Sequence, residues 1–390
     1  MIKLCVPDIQ EGEIAAAMEV IRSGWMAHGP YNKKFEAVFA EVIGVKHAIT
    51  CNSCTSALFL ALKALRVTGE VVIPSFSFVA TANAVVTAGA TPRFVDIDCE
   101  TCNLDPKKIA AAITPNTQAI IPVHFAGQCC QMDAIMDIAV QHGLHVIEDS
   151  AETLGGTFRG RQAGSFGTGC FSFFPTKNIT TGEGGMITTD DDELARILRA
   201  LIGHGIDSTT YEREKAEMPW FRSAVLPGYN FRMSNVLAAL GYEQMHRLDA
   251  MNEARRKHAA RLIDGLSDVP GIKLPRAEEG CHHVYQMFTM KLDPRYDRNL
   301  FIQRLNQRGV GASVHFYPAI HEQGFYLKHP EWRAGPLDVT EDVSRRIVTL
   351  PMFPQLRRRD LDEIISQVKL ALTQSVAGEV SARPVKTTVR

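Results

Sequence analysis

A chain of 390 residues is too long for one small core, and ordinary domain sizes point to two or three units. It is 45% hydrophobic and 22% charged, and 42 basic against 43 acidic residues leave a formal charge of −1, so no basic field exists to hold nucleic acid or an anionic membrane. No apolar run reaches bilayer length, and the opening MIKLCVPDIQEGEI lacks the apolar stretch of a signal peptide, so a cytoplasmic location is expected.

In chain order, strand-length apolar runs alternate with helical patterns. Residues 46–51 read as a strand, and 55–66 follow with helical spacing at Leu58, Leu62 and Leu65. Strands are expected at 70–74, 91–97, 118–125 and 145–149. Helices are expected between them at 78–88, 105–113 and 132–142, the second opened by Asp105 and Pro106. Two further strands follow, at 170–174 and 185–189, with a polar turn between them. Strands this apolar, alternating with helices, predict an α/β fold whose mostly parallel central sheet is flanked by helices on both faces.

From 234 to 266 one long helical pattern runs with few breakers and reads as a bridge out of the large domain. Beyond it the texture changes to a strand at 284–292, a helix at 300–307, a strand at 311–316 and an amphipathic helix at 361–372. The organisation expected is a large domain over 1–245, a smaller C-terminal α+β domain over 246–374 that includes the bridging helix, and a mobile tail over 375–390.

Nine cysteines include the C-x-x-C pairs Cys51/Cys54 and Cys99/Cys102 and the adjacent Cys129 and Cys130. The pairs lie too far apart for a compact zinc ribbon, so reduced thiols filling small positions are expected and no metal site. The acidic run at 96–101 fails the EF-hand test, since Thr101 and Lys107 stand where that loop needs Gly and Glu. A dinucleotide-binding reading fails too: Asn52 to Ala57, after the first strand, holds no glycine, and the Gly-rich run 164–169 has the wrong order.

Four polar clusters fall where open α/β sheets bind ligands, at the carboxyl ends of strands. Asn52-Ser53-Cys54-Thr55-Ser56 opens a helix after a strand, the usual setting of an anion site, although a plain N-cap would look the same. Asp149, in Glu148-Asp149-Ser150-Ala151-Glu152, ends an apolar strand, where a carboxylate needs a cationic partner or hydrogen bonds to the next loop. Lys177 follows the strand Phe171-Ser172-Phe173-Phe174 and precedes Thr181-Gly182-Glu183-Gly184-Gly185. A lysine held against apolar surface loses its proton readily and forms imines, and the glycines let backbone approach a ligand. Gly228-Tyr229-Asn230-Phe231-Arg232 precedes the long helix and says little by itself.

Together these segments resemble the DegT-type sugar aminotransferases, pyridoxal-phosphate (PLP) enzymes of the aspartate-aminotransferase fold, fold type I. The likeness starts at Ser23-Gly24-Trp25 and His28-Gly29-Pro30 and ends at His315-Phe316-Tyr317-Pro318 and Leu350-Pro351-Met352-Phe353-Pro354. It implies that Lys177 carries the cofactor as a Schiff base and that Asp149 pairs with its pyridine nitrogen. Cys54, Thr55 and Ser172 would hold the phosphate, and Phe78 would stack on the ring. Glu152 would lie near the phenolic oxygen, where many relatives have Gln, and Cys54 stands where relatives often have Gly. Asn230 would reach the phosphate of a neighbouring subunit, which implies a homodimer with shared active sites.

The resemblance further implies ping-pong transfer of an amino group from an amino acid, L-glutamate in most of the family, to a nucleotide-linked keto-deoxy sugar. The Thr181 to Gly185 segment looks more like the members that aminate C4. His28, Glu183, His315, Tyr317 and His321 are the candidates for the acceptor pocket, and Arg232 for the donor carboxylate. A non-catalytic sensor that keeps the fold is the alternative reading, as is a PLP enzyme of another reaction type. The retained Lys177, where some relatives carry His and dehydrate sugars, favours the transferase.

Overall fold

A computed structural model describes residues 1–206, 218 and 220–375. The chain opens with helices α1 (Glu11–Ser23) and α2 (Pro30–Ile43). There follow β1 (His47–Cys51), α3 (Cys54–Ala64), β2 (Glu70–Pro74), α4 (Ala80–Ala88) and β3 (Thr91–Val95). Next come α5 (Pro106–Ala112), β4 (Thr117–Ile120), α6 (Met132–His142) and β5 (His145–Asp149). A ribbon of β6 (Thr157–Phe158) and β7 (Arg161–Gln162) leads to β8 (Thr168–Ser172), β9 (Gly185–Thr189) and α7 (Asp192–Ile202).

Seven strands form one sheet in the order β1-β9-β8-β5-β4-β2-β3. Within it β3, β2, β4, β5 and β8 pair in parallel, while β9 is antiparallel to both β8 and β1. The reversal has a simple origin. A parallel return needs a crossover long enough to traverse the sheet, usually a helix. The β8–β9 connection is instead a tight loop, closed by Phe173 N to Gly184 O at 3.0 Å and Thr181 N to Phe173 O at 3.0 Å. That loop carries Lys177.

The sheet is buried on both faces, as its near-continuous apolar strands require. Leu58, Leu62, Val85, Leu198 and Ile202 pack on one part, with Ile109, Met132 and Ile135 on another. Phe35 and Phe39 pack against Phe171 and Phe173.

Two helices come next among the described residues, α8 (Asn235–Met245) and α9 (Leu248–Leu266). One continuous helix was expected here. The break falls at His246–Arg247, where Arg247 leaves helical geometry with φ −113 and ψ 1. Its guanidinium binds Asp8 at 3.0 Å and Glu13 at 3.1 Å, so long-range ion pairs set the kink where no Gly or Pro marks it.

The remaining elements are β10 (Ile272–Lys273), β11 (Cys281–His282), β12 (Phe288–Leu292), α10 (Arg298–Gln307), α11 (Asp338–Arg346), β13 (Ile347–Leu350) and α12 (Arg358–Thr373). A β10-β12-β13 sheet shares a second core with α9, α10 and α12, built on Leu262, Phe288, Phe301, Val348, Ile364 and Val368. The N-terminal residues Ile2, Cys5 and Val6 pack on this second core, and Ile2 bridges to Val310.

The strand expected at 311–316 forms only a single bridge, Ser313 to Thr349, before the chain turns away with cis peptides at His315–Phe316 and Tyr317–Pro318. The helix expected from Phe78 begins at Ala80, which leaves the Phe78 ring in a loop. Among the described residues no helix is long and apolar enough to cross a membrane. Of the expected tail, residues 376–390 lie outside the described residues.

Candidate active site

One cavity of about 930 Å³ opens over the carboxyl ends of β1, β2, β5 and β8. Segments far apart in sequence meet in its wall: Leu4 and Cys5, the start of α3, Ser77 to Thr81, Asp149 to Glu152, Ser172 to Lys177, Glu183, Gln286, His315 to Pro318, and Thr349 to Met352.

Asp149 ends β5 and is 6% exposed. Its backbone is fixed to the segment that follows β4, donating to Pro122 O at 2.9 Å and accepting from His124 N at 3.1 Å. The preceding Glu148 faces the other way, as alternation along a strand requires. It takes backbone N–H bonds from Gly164, Phe166 and Gly167 at 2.7 to 2.9 Å and contacts buried His124 at 3.0 Å. This lattice locks the strand end. The Asp149 carboxylate accepts from Thr81 Oγ1 at 2.8 Å and Ala151 N at 3.3 Å, and Thr81 is in turn bonded to Ser77 Oγ. It forms no ion pair among the described residues. Burial pushes its pKa up, against the opposing pull of the Thr81 hydroxyl.

Lys177 sits in the β8–β9 loop with its side chain 16% exposed, and its Nζ donates to Glu152 Oε1 at 3.2 Å. Glu152 Oε2 is tied to Ala126 N at 2.9 Å, so the carboxylate is held toward the lysine by the turn after β4. One carboxylate at the strand end therefore has a cation, and the other, three residues before it, lacks one.

The start of α3 forms the next part of the wall. Ser53 caps the helix through Ser56 N at 3.1 Å, which leaves the Cys54 and Thr55 N–H groups at the first turn without intrahelical partners. Asn52 N donates to Phe231 O at 2.8 Å and anchors this turn to the 228–233 segment. Gly185 packs its backbone here. A Cβ on it would stand 2.5 Å from Ser53 C and 2.7 Å from Cys54 N, so a side chain at 185 would push the turn away. Ser172, at the end of β8, also lines the cavity. Phe78 projects into it 62% exposed, its ring 6.2 Å from that of Phe316.

Of the expected acceptor residues, Glu183, His315 and Tyr317 line the cavity. His315 is bonded to Thr349 Oγ1 at 3.0 Å, and burial lowers its pKa. Tyr317 lies under Arg298, whose guanidinium stands 4.5 Å from the ring. Two expected residues lie elsewhere. His321 is buried against Ser75 Oγ at 2.6 Å and reaches Glu341 at 3.4 Å, away from the cavity surface. His28 is buried 4.0 Å from Glu36, beside α2. Asn230 also stands outside this cavity, exposed and bonded to Arg232 Nε at 3.1 Å.

Sequence reading missed Thr81, Cys5 and Gln286. Thr81 sits at the opening of α4, where it looks like one more capping residue. Cys5 and Gln286 belong to no motif and reach the cavity only because distant segments dock there.

These residues fit a phosphorylated pyridine cofactor. Asp149 is a buried carboxylate without a cation among the described residues, which a protonated ring nitrogen would supply. The α3 terminus with Ser172 offers free donors for a phosphate. Phe78 offers an aromatic face, and Lys177 an amine within the same cavity.

The family model of the DegT/DnrJ/EryC1/StrS aminotransferases matches residues 7–369. The spore coat polysaccharide biosynthesis protein SpsC of Bacillus subtilis is 39% identical over 371 residues, covering 93% of this chain and 95% of that protein. The PLP form of the putative sugar aminotransferase Spr1654 from Streptococcus pneumoniae superposes with a TM-score of 0.88 at 28% identity, over 96% of this chain and 99% of that one. DesI, solved in the presence of its TDP-sugar product, gives 0.86 at 31% identity, over 96% and 93% of the two chains.

Proposed function

The chain belongs to the DegT/DnrJ/EryC1/StrS aminotransferase family of PLP-dependent sugar aminotransferases, and from that premise we propose that it moves an amino group from L-glutamate to C4 of a nucleotide-linked keto-deoxy sugar. One observation carries the reading: Lys177 and the uncompensated Asp149 carboxylate face the same cavity, a nucleophilic amine and an anionic anchor in one enclosure. The cofactor, when bound, supplies an electron sink for the bonds at the reacting carbon.

Lys177 would hold the cofactor's aldehyde carbon covalently at rest. When free, its Nζ would act as base and then acid toward the donor's α-carbon. Glu152, whose Oε1 accepts from that Nζ at 3.2 Å, would orient it. Asp149, kept out of water, stabilises positive charge at the ring nitrogen, and Thr81 holds the carboxylate in place. Cys54 and Thr55, through their backbone N–H groups, and Ser172 would bind the phosphate, and Phe78 would cover the ring.

Glu183, His315 and Tyr317 would meet the sugar. The C4 choice rests on the Thr181 to Gly185 segment, and the nucleotide sugar is supported by the likeness to DesI. Asn230, exposed and outside the cavity of its own chain, would serve a partner's cavity in a homodimer, with Arg232 beside it as a candidate for the donor carboxylate.

The test is an absorption spectrum of the purified protein before and after L-glutamate. The expected result is a visible band from the lysine-bound cofactor that shifts to the aminated form and returns on adding a 4-keto-6-deoxy sugar nucleotide. A band indifferent to glutamate would remove the donor assignment. No band even after added PLP would remove the enzymatic reading.

A further inference from the structure

Helix α1 is apolar on two sides. Its inner face is used within the chain: Ala16 and Val20 pack in one core with Ala238 and Ala239 of α8, and buried Glu13 binds Arg247. The outer face of such a helix is ordinarily polar. Instead Ile14, Met18 and Ile21, spaced to share one side of the helix, are 40–48% exposed. Glu11 stands in the first turn and Arg22 in the last, both exposed and without an ion pair among the described residues.

At about 100° per residue, Glu11, Met18 and Arg22 fall within about 40° of one line along the helix, with Ala15 on one flank and Ile14 and Ile21 on the other. The face therefore carries an acid at one end, a base at the other and apolar side chains between them. That pattern fits a copy of itself turned end for end. Antiparallel pairing sets each Glu11 against Arg22 of the second copy and each Met18 over its small Ala15, and it opposes the two helix dipoles. Parallel pairing would set like charge on like. A helix pair supplies only part of the roughly 1,200–2,000 Å² that a stable interface buries. The exposed surface runs on past α1 to Met26, whose carbonyl accepts from Asn235 N at 3.0 Å where α8 begins, just after exposed Asn230.

We propose that the outer face of α1 is an interface between two copies of this chain, packed antiparallel about a two-fold axis. The proposal rests on the homodimer of the reading above, names a surface for it, and takes nothing from the chemistry proposed there. Under a two-fold axis every contact occurs twice, so one reversed charge acts at both ends of the helix pair.

The experiment uses the full chain and two variants confined to exposed positions. Glu11→Arg puts a base at both ends of the face, and Arg22→Glu an acid at both ends, so each repels its own kind. Paired with each other, the two meet opposite charges at both ends. The variants are co-expressed in one cell with tags of different mass, and the purified dimers are sorted by native mass spectrometry. About nine in ten should be mixed, the result of a roughly tenfold penalty on each self-pairing, on the scale of two exposed ion pairs turned repulsive. Two tagged wild-type chains treated the same way should pair at random, with about half of the dimers mixed. Random pairing of the variants would overturn the α1 assignment and leave the homodimer standing. A wild-type protein that stays monomeric at every concentration in sedimentation would overturn both. A dimer that shows the mixed preference but no PLP band would support the interface and overturn only the enzymatic reading.

Discussion

The floor of the cavity and its outer wall are built on different terms. At the floor, Asp149 is almost wholly buried, its backbone N–H and C=O both bonded to the segment after β4 and its carboxylate fixed by Thr81. The neighbouring Glu148 is saturated by three backbone donors and His124. On the outer wall, Phe78 and Tyr317 are 62% and 53% exposed and sit in loops. The difference teaches what each side has to do. A charge bound in every catalytic cycle is best met by groups that need no rearrangement. A wall past which substrates enter and leave is met by exposed rings.

The largest test of this division is at the floor. Lys177→Ala should abolish the visible cofactor band and lower turnover by about 10⁴-fold, the upper range for losing an acid–base group. Normal turnover by that variant would remove the central assignment. Asp149→Asn keeps the shape but not the charge. Breaking a buried charge pair costs about 3–5 kcal/mol, so cofactor affinity, read by absorbance titration, should fall by about 10²-fold to 10³-fold. If it held its cofactor as tightly as the wild type, Asp149 would not be the ring's counter-charge.

Thr81→Val sharpens the comparison further. It removes one hydrogen bond to a carboxylate, a contact of about 1.5–3 kcal/mol, and should weaken cofactor binding about tenfold to a hundredfold with the fold intact by circular dichroism. An effect as small as that of an exposed wall residue would show that the floor is less tightly organised than its bonds suggest.

The smallest effect comes from His283, which is buried and stacked on Tyr285 at 3.8 Å. Burial holds its pKa down to about 3, against an ordinary 6.5. The unfolded chain therefore takes up this proton first, so the contribution to stability is complete above pH 6.5 and is lost as pH falls toward 3. The slope is at most about 1.4 kcal/mol per pH unit for one group. Denaturant unfolding of His283→Asn and wild type should run parallel above pH 6.5, and the variant should lose less stability below it. Identical pH slopes would contradict the assignment.

Much of the floor is legible in the sequence because its residues sit beside strands that announce themselves. Val146 and Ile147 lead straight into Glu148 and Asp149, so a pair of carboxylates at the end of a strand stands out. Lys177 is framed by aromatics on one side and glycines on the other. The wall is less legible. The residues from 311 to 316 look like a strand and form a single bridge, because alternation of apolar residues does not record whether an edge finds a partner. His321 shares a motif with His315 and Tyr317 but turns inward to Ser75, a bond across 246 positions that spacing cannot encode. Thr81 reaches Asp149 across 68 positions, and Gln286 reaches Thr176 across 110.

What the sequence by itself determined was local and periodic: strands alternating with helices, the capped turn at Ser53, the carboxylate at 149, the lysine at 177 and the family likeness that joins them. Those follow from burial patterns and short-range backbone chemistry, which a linear string carries directly. What only the tertiary structure decided was which polar atoms end up satisfied. It left Asp149 without a cation among the described residues, gave Glu152 to Lys177 and bent the chain at Arg247. Each outcome depends on which distant donor or acceptor packing brings within about 3 Å, the range over which a hydrogen bond is made or lost.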